Sequence, residues 1–124
     1  METSERSGEF VALGTDEYAG LETFANPGVR RVEMTSDEVT TLGPVNEQPD
    51  FYTATIEYEP DRLCLESKSL KLYLGRLRNE VVFCETLAVQ LRDDAAAALE
   101  LPHDKVRVTL KQKSRGGITI TATA

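Results

Sequence analysis

A chain of 124 residues, 40% hydrophobic and 28% charged, has the length of one domain and enough apolar material to bury a core without disulfide support. Its net charge of -7 argues against a nucleic-acid groove, which needs a basic stripe to displace counterions from phosphates; a small anionic ligand in a local basic pocket remains compatible. No apolar run nears the roughly 20 residues that span a membrane, and residues 1–9 are polar, without the apolar stretch of a secretion signal, so the expected location is the cytoplasm.

Residues 1–20 are expected to form a mobile N-terminal segment and residues 21–124 a single domain. A short piece at 21–24 leads into Asn26-Pro27-Gly28, a turn signal. Residues 31–42 read as a strand on Val32, Met34 and Val39 with β-branched Thr35, Thr40 and Thr41. The alternation breaks near Ser36-Asp37, which predicts a bulge. Residues 43–50 then hold two prolines and a glycine, a shaped loop rather than a tight hairpin. Residues 51–58 alternate cleanly, with Tyr52, Ala54, Ile56 and Tyr58 on one side and Thr53, Thr55 and Glu57 on the other. That is the pattern of a half-buried antiparallel strand.

Leu70, Tyr73, Leu74, Leu77 and Val81 recur at helical spacing and predict a helix over 67–81, with Lys71, Arg76, Arg78 and Asn79 on its wet side. A second helix is predicted over 83–101 on the stripe Leu87, Leu91, Ala95 and Ala98, and Pro102 stops it. Val106, Val108 and Leu110 alternate with polar neighbours to give a third strand, Ser114-Arg115-Gly116-Gly117 a hairpin loop, and Ile118 with Ile120 a fourth strand. The order β-β-α-α-β-β predicts an α+β layer fold, an antiparallel four-stranded sheet with two helices on one face. Such a sheet has two open edges that invite pairing with further subunits, and ring assembly would answer that need.

Cys64 and Cys84 fit neither a C-x-x-C nor a zinc pattern and read as buried thiols in a reducing compartment. The sole histidine, His103, stands beside Pro102 and Asp104. It reads as a surface loop residue, and no metal site is expected.

Five stretches occur in order across residues 21–120: Leu21-Glu22-Thr23-Phe24, Gln48-Pro49-Asp50-Phe51, Glu66-Ser67-Lys68-Ser69-Leu70-Lys71-Leu72-Tyr73, Phe83-Cys84-Glu85 and Arg115-Gly116-Gly117-Ile118. Together they resemble the QueF family of NADPH-dependent nitrile reductases. That resemblance implies the tunnelling fold, with subunits closing into a multi-subunit barrel and binding a 7-deazaguanine between them. It also implies reduction of 7-cyano-7-deazaguanine to 7-aminomethyl-7-deazaguanine with two NADPH, on the route to queuosine in tRNA.

Residue by residue, the resemblance makes Asp50 the general acid that protonates the nitrile nitrogen. It makes Glu85 the carboxylate that takes two parallel bonds from the pyrimidine edge of the base, with Glu66 and Ser67 also on the substrate side. Lys68, Ser69, Lys71 and Arg115 fall on the NADPH side, where cations suit phosphates; with no G-x-G-x-x-G in the sequence, the cofactor is not held in the Rossmann manner. Two positions depart from the family. Its catalytic cysteine, which adds to the nitrile carbon, is replaced by Gly43, and the glycine of the same loop by Glu47. Its histidine before the base-binding glutamate is replaced by Cys84. Cys84 is either a relocated nucleophile, its thiol activated by a helix start, or a small buried thiol filling the histidine's space. Three functions follow: the family's nitrile reductase, an archaeosine-type relative that forms an amidine with ammonia, or a non-catalytic 7-deazapurine-binding protein.

Overall fold

The structure is a computed structural model that describes residues 18–124. The segment expected to be mobile, 1–20, lies outside the described residues except for its last three. The elements in chain order are β1 (Thr23–Ala25), β2 (Val32–Leu42), β3 (Pro49–Tyr58), β4 (Leu63–Leu65), α1 (Ser67–Gly75), α2 (Cys84–Leu99), β5 (Val106–Arg115) and β6 (Ile118–Thr123). Strands β2-β3-β5-β6 form an antiparallel sheet, and β1 pairs with β4 in a separate two-stranded ribbon.

The alternation of β3 decides which face of the sheet is covered. Tyr52, Ala54, Ile56 and Tyr58 are buried, and the register sets Ala54 opposite Leu110, Ile56 opposite Val108 and Tyr58 opposite Val106. Helix α2 closes over this row with Leu87, Leu91, Ala95 and Leu99, all at most 1% exposed. Each leucine so buried contributes about 1.5–3 kcal/mol of transfer free energy. The opposite face is hydroxylated: Thr35, Thr55, Thr109 and Thr123 stand in register across all four strands.

The predicted bulge is present as a register shift between Ser36 and Val39. It has a structural consequence. Before it, Val32, Met34 and Ser36 are the more covered residues of β2; after it, Val39, Thr41 and Gly43 are. The extra residue switches the parity of the strand and turns position 43 inward.

Three elements differ from expectation. Strand β4 was not foreseen; it is three residues long and gains its pairing from β1, forty residues earlier. The helix predicted over 67–81 ends at Gly75 and continues as a 3-10 turn, Arg76–Asn79, that still buries Leu77. Glycine is a poor helix former, and the tighter turn frees residues 80–82 to clip onto the end of β2. There Leu42 N–H donates to the Glu80 carbonyl (2.8 Å) and Val82 N–H to the Leu42 carbonyl (3.1 Å). Strand β3 begins earlier than predicted, so Asp50 belongs to the strand rather than to the loop.

Helix α2 ends at Glu100, which takes the left-handed conformation (φ 58°), with its N–H and that of Leu101 bonded back to Ala97 and Ala96. Pro102 follows, as the sequence indicates. Cys64 and Cys84 are buried free thiols, and His103 is exposed in a 3-10 turn. No helix among the described residues is long and apolar enough to cross a membrane.

Candidate functional site

The loop between β2 and β3 closes on itself. Gly43 N–H donates to the Gln48 carbonyl and Glu47 N–H to the Gly43 carbonyl, both at 2.8 Å. The Asn46 side chain accepts from Gln48 N–H at 3.1 Å. Glu47 adopts φ 56°, a left-handed conformation that suits glycine and strains other residues.

Asp50, the first inward residue of β3, is 8% exposed. Its Oδ1 lies 3.1 Å from Arg115 Nε. The same guanidinium donates to Gln48 Oε1 at 2.6 Å and to the Pro49 carbonyl. Arg115 ends β5 just before the Gly116–Gly117 turn, whose φ values of 58° and 83° require glycine. Thus a side chain from the β5–β6 hairpin fixes both the loop and the carboxylate.

On its other side Asp50 faces position 43. A Cβ built on Gly43 would stand 3.0 Å from Asp50 Oδ2 and 3.6 Å from Asn46 Oδ1. The first contact is tight by a few tenths of an ångström, against the movable end of a side chain. The Gly43 backbone is not left-handed, so it accepts a side chain without strain.

Cys84 opens α2 and is buried. Burial pushes its thiol from an ordinary 9.0 up to about 11, and the charges of Glu85 and Asp50 add to the rise. The activation by a helix start that a relocated nucleophile would use is therefore overridden. Tyr52 bonds Thr41 through its hydroxyl (2.8 Å) inside the core. Its phenol is also pushed up by burial, against the Thr41 bond, with Asp50, Cys84 and Glu85 contributing. Asp50, at the start of β3, and Glu85, in the first turn of α2, thus act on the same two side chains. Glu85 itself is exposed, and it borders a shallow depression on α2 with Val89, Gln90 and Asp93.

The remaining sequence-derived residues form a second group on α1. Glu66 caps the helix, its Oε2 accepting from Lys68 N–H and its Oε1 from Ser69 N–H, both at 2.7 Å. Ser69 is buried; its hydroxyl donates to the Glu66 carbonyl and accepts from Glu22 N–H, both at 2.9 Å. Ser67, Lys68 and Lys71 are exposed. Arg115 does not join this group but stands with Asp50. Sequence reasoning missed Thr41, Tyr52 and the Arg115–Asp50 pair; carrying the parity of β2 past the bulge would have exposed Thr41.

The QueF-like protein family matches residues 49–124 of the chain. The chain is 43% identical over 107 residues to the NADPH-dependent 7-cyano-7-deazaguanine reductase of Chlorobium phaeovibrioides, covering 84% of this chain and 90% of that protein. The enzyme of the same name from Nitrosospira multiformis is also 43% identical over 107 residues, covering 84% and 76%. That of Alkalilimnicola ehrlichii is 38% identical over 115 residues, covering 90% and 88%. Among solved structures, the archaeosine synthase QueF-Like in its apo form superposes with a TM-score of 0.70 at 22% identity, over 78% of this chain and 93% of that one. This last likeness is one of fold, and it agrees with an α+β tunnelling architecture.

Proposed function

Because the chain belongs to the QueF-like protein family, we propose that it binds 7-cyano-7-deazaguanine with Glu85 on the pyrimidine edge and the nitrile directed at Asp50 and position 43. One observation carries this reading: a side chain on residue 43 would begin 3.0 Å from the Asp50 carboxylate. That is the juxtaposition a nitrile needs, with a nucleophile at its carbon and an acid at its nitrogen. Arg115 serves here as a positioning residue for Asp50. The cofactor is NADPH, which supplies hydride when bound; Lys68 and Lys71 on α1 suit its phosphates, while Glu66 and Ser69 support them by fixing the start of the helix.

Gly43 cannot attack the nitrile, and Cys84 holds its proton near neutral pH. These two facts favour, as a second reading, a protein that binds the base without turning it over. An amidine-forming activity would require the same missing nucleophile. The proposal extends to a cytoplasmic location, which suits the free thiols of Cys64 and Cys84, and to assembly into rings. Among the described residues β6, and β2 apart from the clip of residues 80–82 at its end, have unpaired outer sides, and Phe51, Phe83 and Ile118 are half or more exposed; both features suit a neighbouring subunit.

Calorimetry with 7-cyano-7-deazaguanine tests the site. Wild type is expected to bind, and Glu85→Gln to bind at least tenfold more weakly, since a hydrogen bond to a charged group contributes about 1.5–3 kcal/mol. Equal affinity of the two proteins would remove Glu85 from the site. Loss of NADPH absorbance with bound base would identify a reductase, and turnover with ammonia alone the amidine-forming relative. Binding without either would identify the silent binder.

A further inference from the structure

Between α1 and the β2–β3 side of the sheet lies a groove of about 890 Å3. Its floor is apolar, formed by Met34, Ala54, Ile56, Leu70 and Leu74, and its rim carries Lys71, Arg76 and Arg78. The charge distribution is unusual for this chain. Residues 67–79 carry Lys68, Lys71, Arg76 and Arg78 and no Asp or Glu, in a protein of net charge -7. Among the described residues Lys71 and Arg78 make no hydrogen bond or ion pair. A cationic rim over an apolar floor complements an occupant that is apolar along part of its length and acidic beside it.

Tyr18 brings the chain itself to this groove. It is one of the lining residues, its ring centroid is 6.0 Å from that of Tyr73, and the Arg76 guanidinium lies 4.7 Å over it. Tyr73 is in turn pinned to α2, its hydroxyl donating to Asp94 at 2.5 Å. The residues just before this anchor, 9–17, have the matching chemistry. They hold one apolar run, from Phe10 to Leu13, and the acids Glu9, Asp16 and Glu17, with no Lys or Arg. Their order matches as well. Asp16 and Glu17 stand next to Tyr18, which is the end of the groove that Arg76 covers. Leu13 is five residues back, a reach of at most about 18 Å in extended chain, whereas the nine residues of α1 are about 14 Å long. The apolar run can therefore lie along the helix while the acids stay at the cationic rim.

We propose that the chain's own residues 10–17 occupy this groove, with Phe10 to Leu13 against the apolar floor and Asp16 and Glu17 paired with Lys71, Arg76 and Arg78. Tyr18 is the fixed end of the strap. The pairing is at the surface, so salt screens it, and the strap loosens as ionic strength rises. The docking involves no ligand and holds whether or not the base-binding assignment of Asp50 and Glu85 does.

The test is amide hydrogen exchange on the full chain at low salt, read by mass spectrometry over residues 10–17 and 67–79. In wild type, residues 10–17 are expected to exchange about tenfold or more slowly than unstructured chain. Leu13→Ser, and Asp16→Lys with Glu17→Lys, alter no residue of the hydrophobic core. Each is expected to bring residues 10–17 within about twofold of the unstructured rate and to speed exchange in residues 67–79. Arg76→Glu with Arg78→Glu is expected to do the same, and joining it to the two lysine substitutions is expected to restore protection. Exchange of residues 10–17 at the unstructured rate in wild type overturns the proposal, as does protection that survives Leu13→Ser; a charge swap that restores nothing overturns the pairing at the rim. Carbodiimide coupling in a mixture of isotope-labelled and unlabelled chains identifies which chain supplies the strap. Asp16 or Glu17 is expected to join the Lys71 amine of the same chain. Coupling found only between labelled and unlabelled chains overturns the assignment in favour of a strap from a second copy.

Discussion

Tyr52 and Tyr58 lie on the same face of β3, each 2% exposed, and burial pushes both phenols above their ordinary range. Their surroundings differ in kind. Tyr58 accepts a hydrogen bond from Leu65 N–H (2.9 Å) and neighbours the Cys64 thiol. Its hydroxyl ties the β1–β4 ribbon to the sheet, and no carboxylate acts on it. Tyr52 bonds Thr41 and feels Asp50, Cys84 and Glu85. Burial and a perturbed hydroxyl are therefore no mark of function by themselves. What separates the two ends of the strand is that Asp50, Cys84 and Glu85 all act on the phenol at one of them, the end beside Gly43. If this contrast is real, substitutions at the two ends should move different observables.

The largest expected effect is at Gly43. Removing the nucleophile of a catalytic unit lowers turnover on the order of a millionfold, about 8 kcal/mol of barrier. Gly43→Cys, assayed by NADPH absorbance with 7-cyano-7-deazaguanine, should raise activity by orders of magnitude towards that limit, once the Asp50 carboxylate yields the few tenths of an ångström the new Cβ needs. A variant that binds the base yet consumes no NADPH would show that Asp50 and position 43 do not meet the nitrile together. At the other end, Leu99→Ala removes a side chain that is 1% exposed. It should cost about 2–5 kcal/mol in chemical denaturation while leaving affinity for the base unchanged where the protein remains folded. A large loss of affinity in the folded variant would mean that the two ends are coupled.

The sequence was legible where structure is local or periodic. The faces of β3 and β5, the stripe of α2 and the Gly116–Gly117 turn follow from spacing and from backbone restrictions that each segment carries alone. The ribbon was not legible, because β4 has three residues and no alternation of its own; its partner is distant in the chain. Thr41 was hidden by the bulge, which inverts the parity by which buried positions are counted. Asp50 and position 43 could be singled out by motif, but their close approach depends on the clip between Leu42 and residues 80–82 and on the Arg115 clasp. Both join parts of the chain tens of residues apart, and no periodicity reports such contacts.

Cys84 gives a smaller effect with a definite sign. Its thiol titrates near 9.0 when exposed and at about 11 in the fold. Between these values the unfolded chain has released the proton and the folded one has kept it, so stability falls as pH rises through that window and levels off above it. The slope approaches about 1.4 kcal/mol per pH unit. Denaturation midpoints measured at pH 8, 9 and 10 should decline in wild type and decline less in Cys84→Ala. The same retained proton predicts slow alkylation of Cys84 at neutral pH. Rapid labelling, with equal slopes for the two proteins, would instead indicate an accessible, activated thiol.

The smallest effect lies in the loop itself, at Glu47, where two terms oppose each other. Its left-handed conformation (φ 56°) costs a residue with a side chain about 1–2 kcal/mol. Glycine removes that strain but brings about 0.5–1 kcal/mol of additional unfolded-state entropy. The difference leaves Glu47→Gly more stable by up to about 1.5 kcal/mol, a rise of a few degrees in Tm. Because the loop's hydrogen bonds from Gly43 to Gln48 are made by the backbone, the substitution should leave the position of Asp50, and hence affinity for the base, unaltered. A fall in Tm would mean that the Glu47 side chain makes a contact that outweighs its strained backbone, and sedimentation of the variant would show whether that contact is with a second copy of the chain.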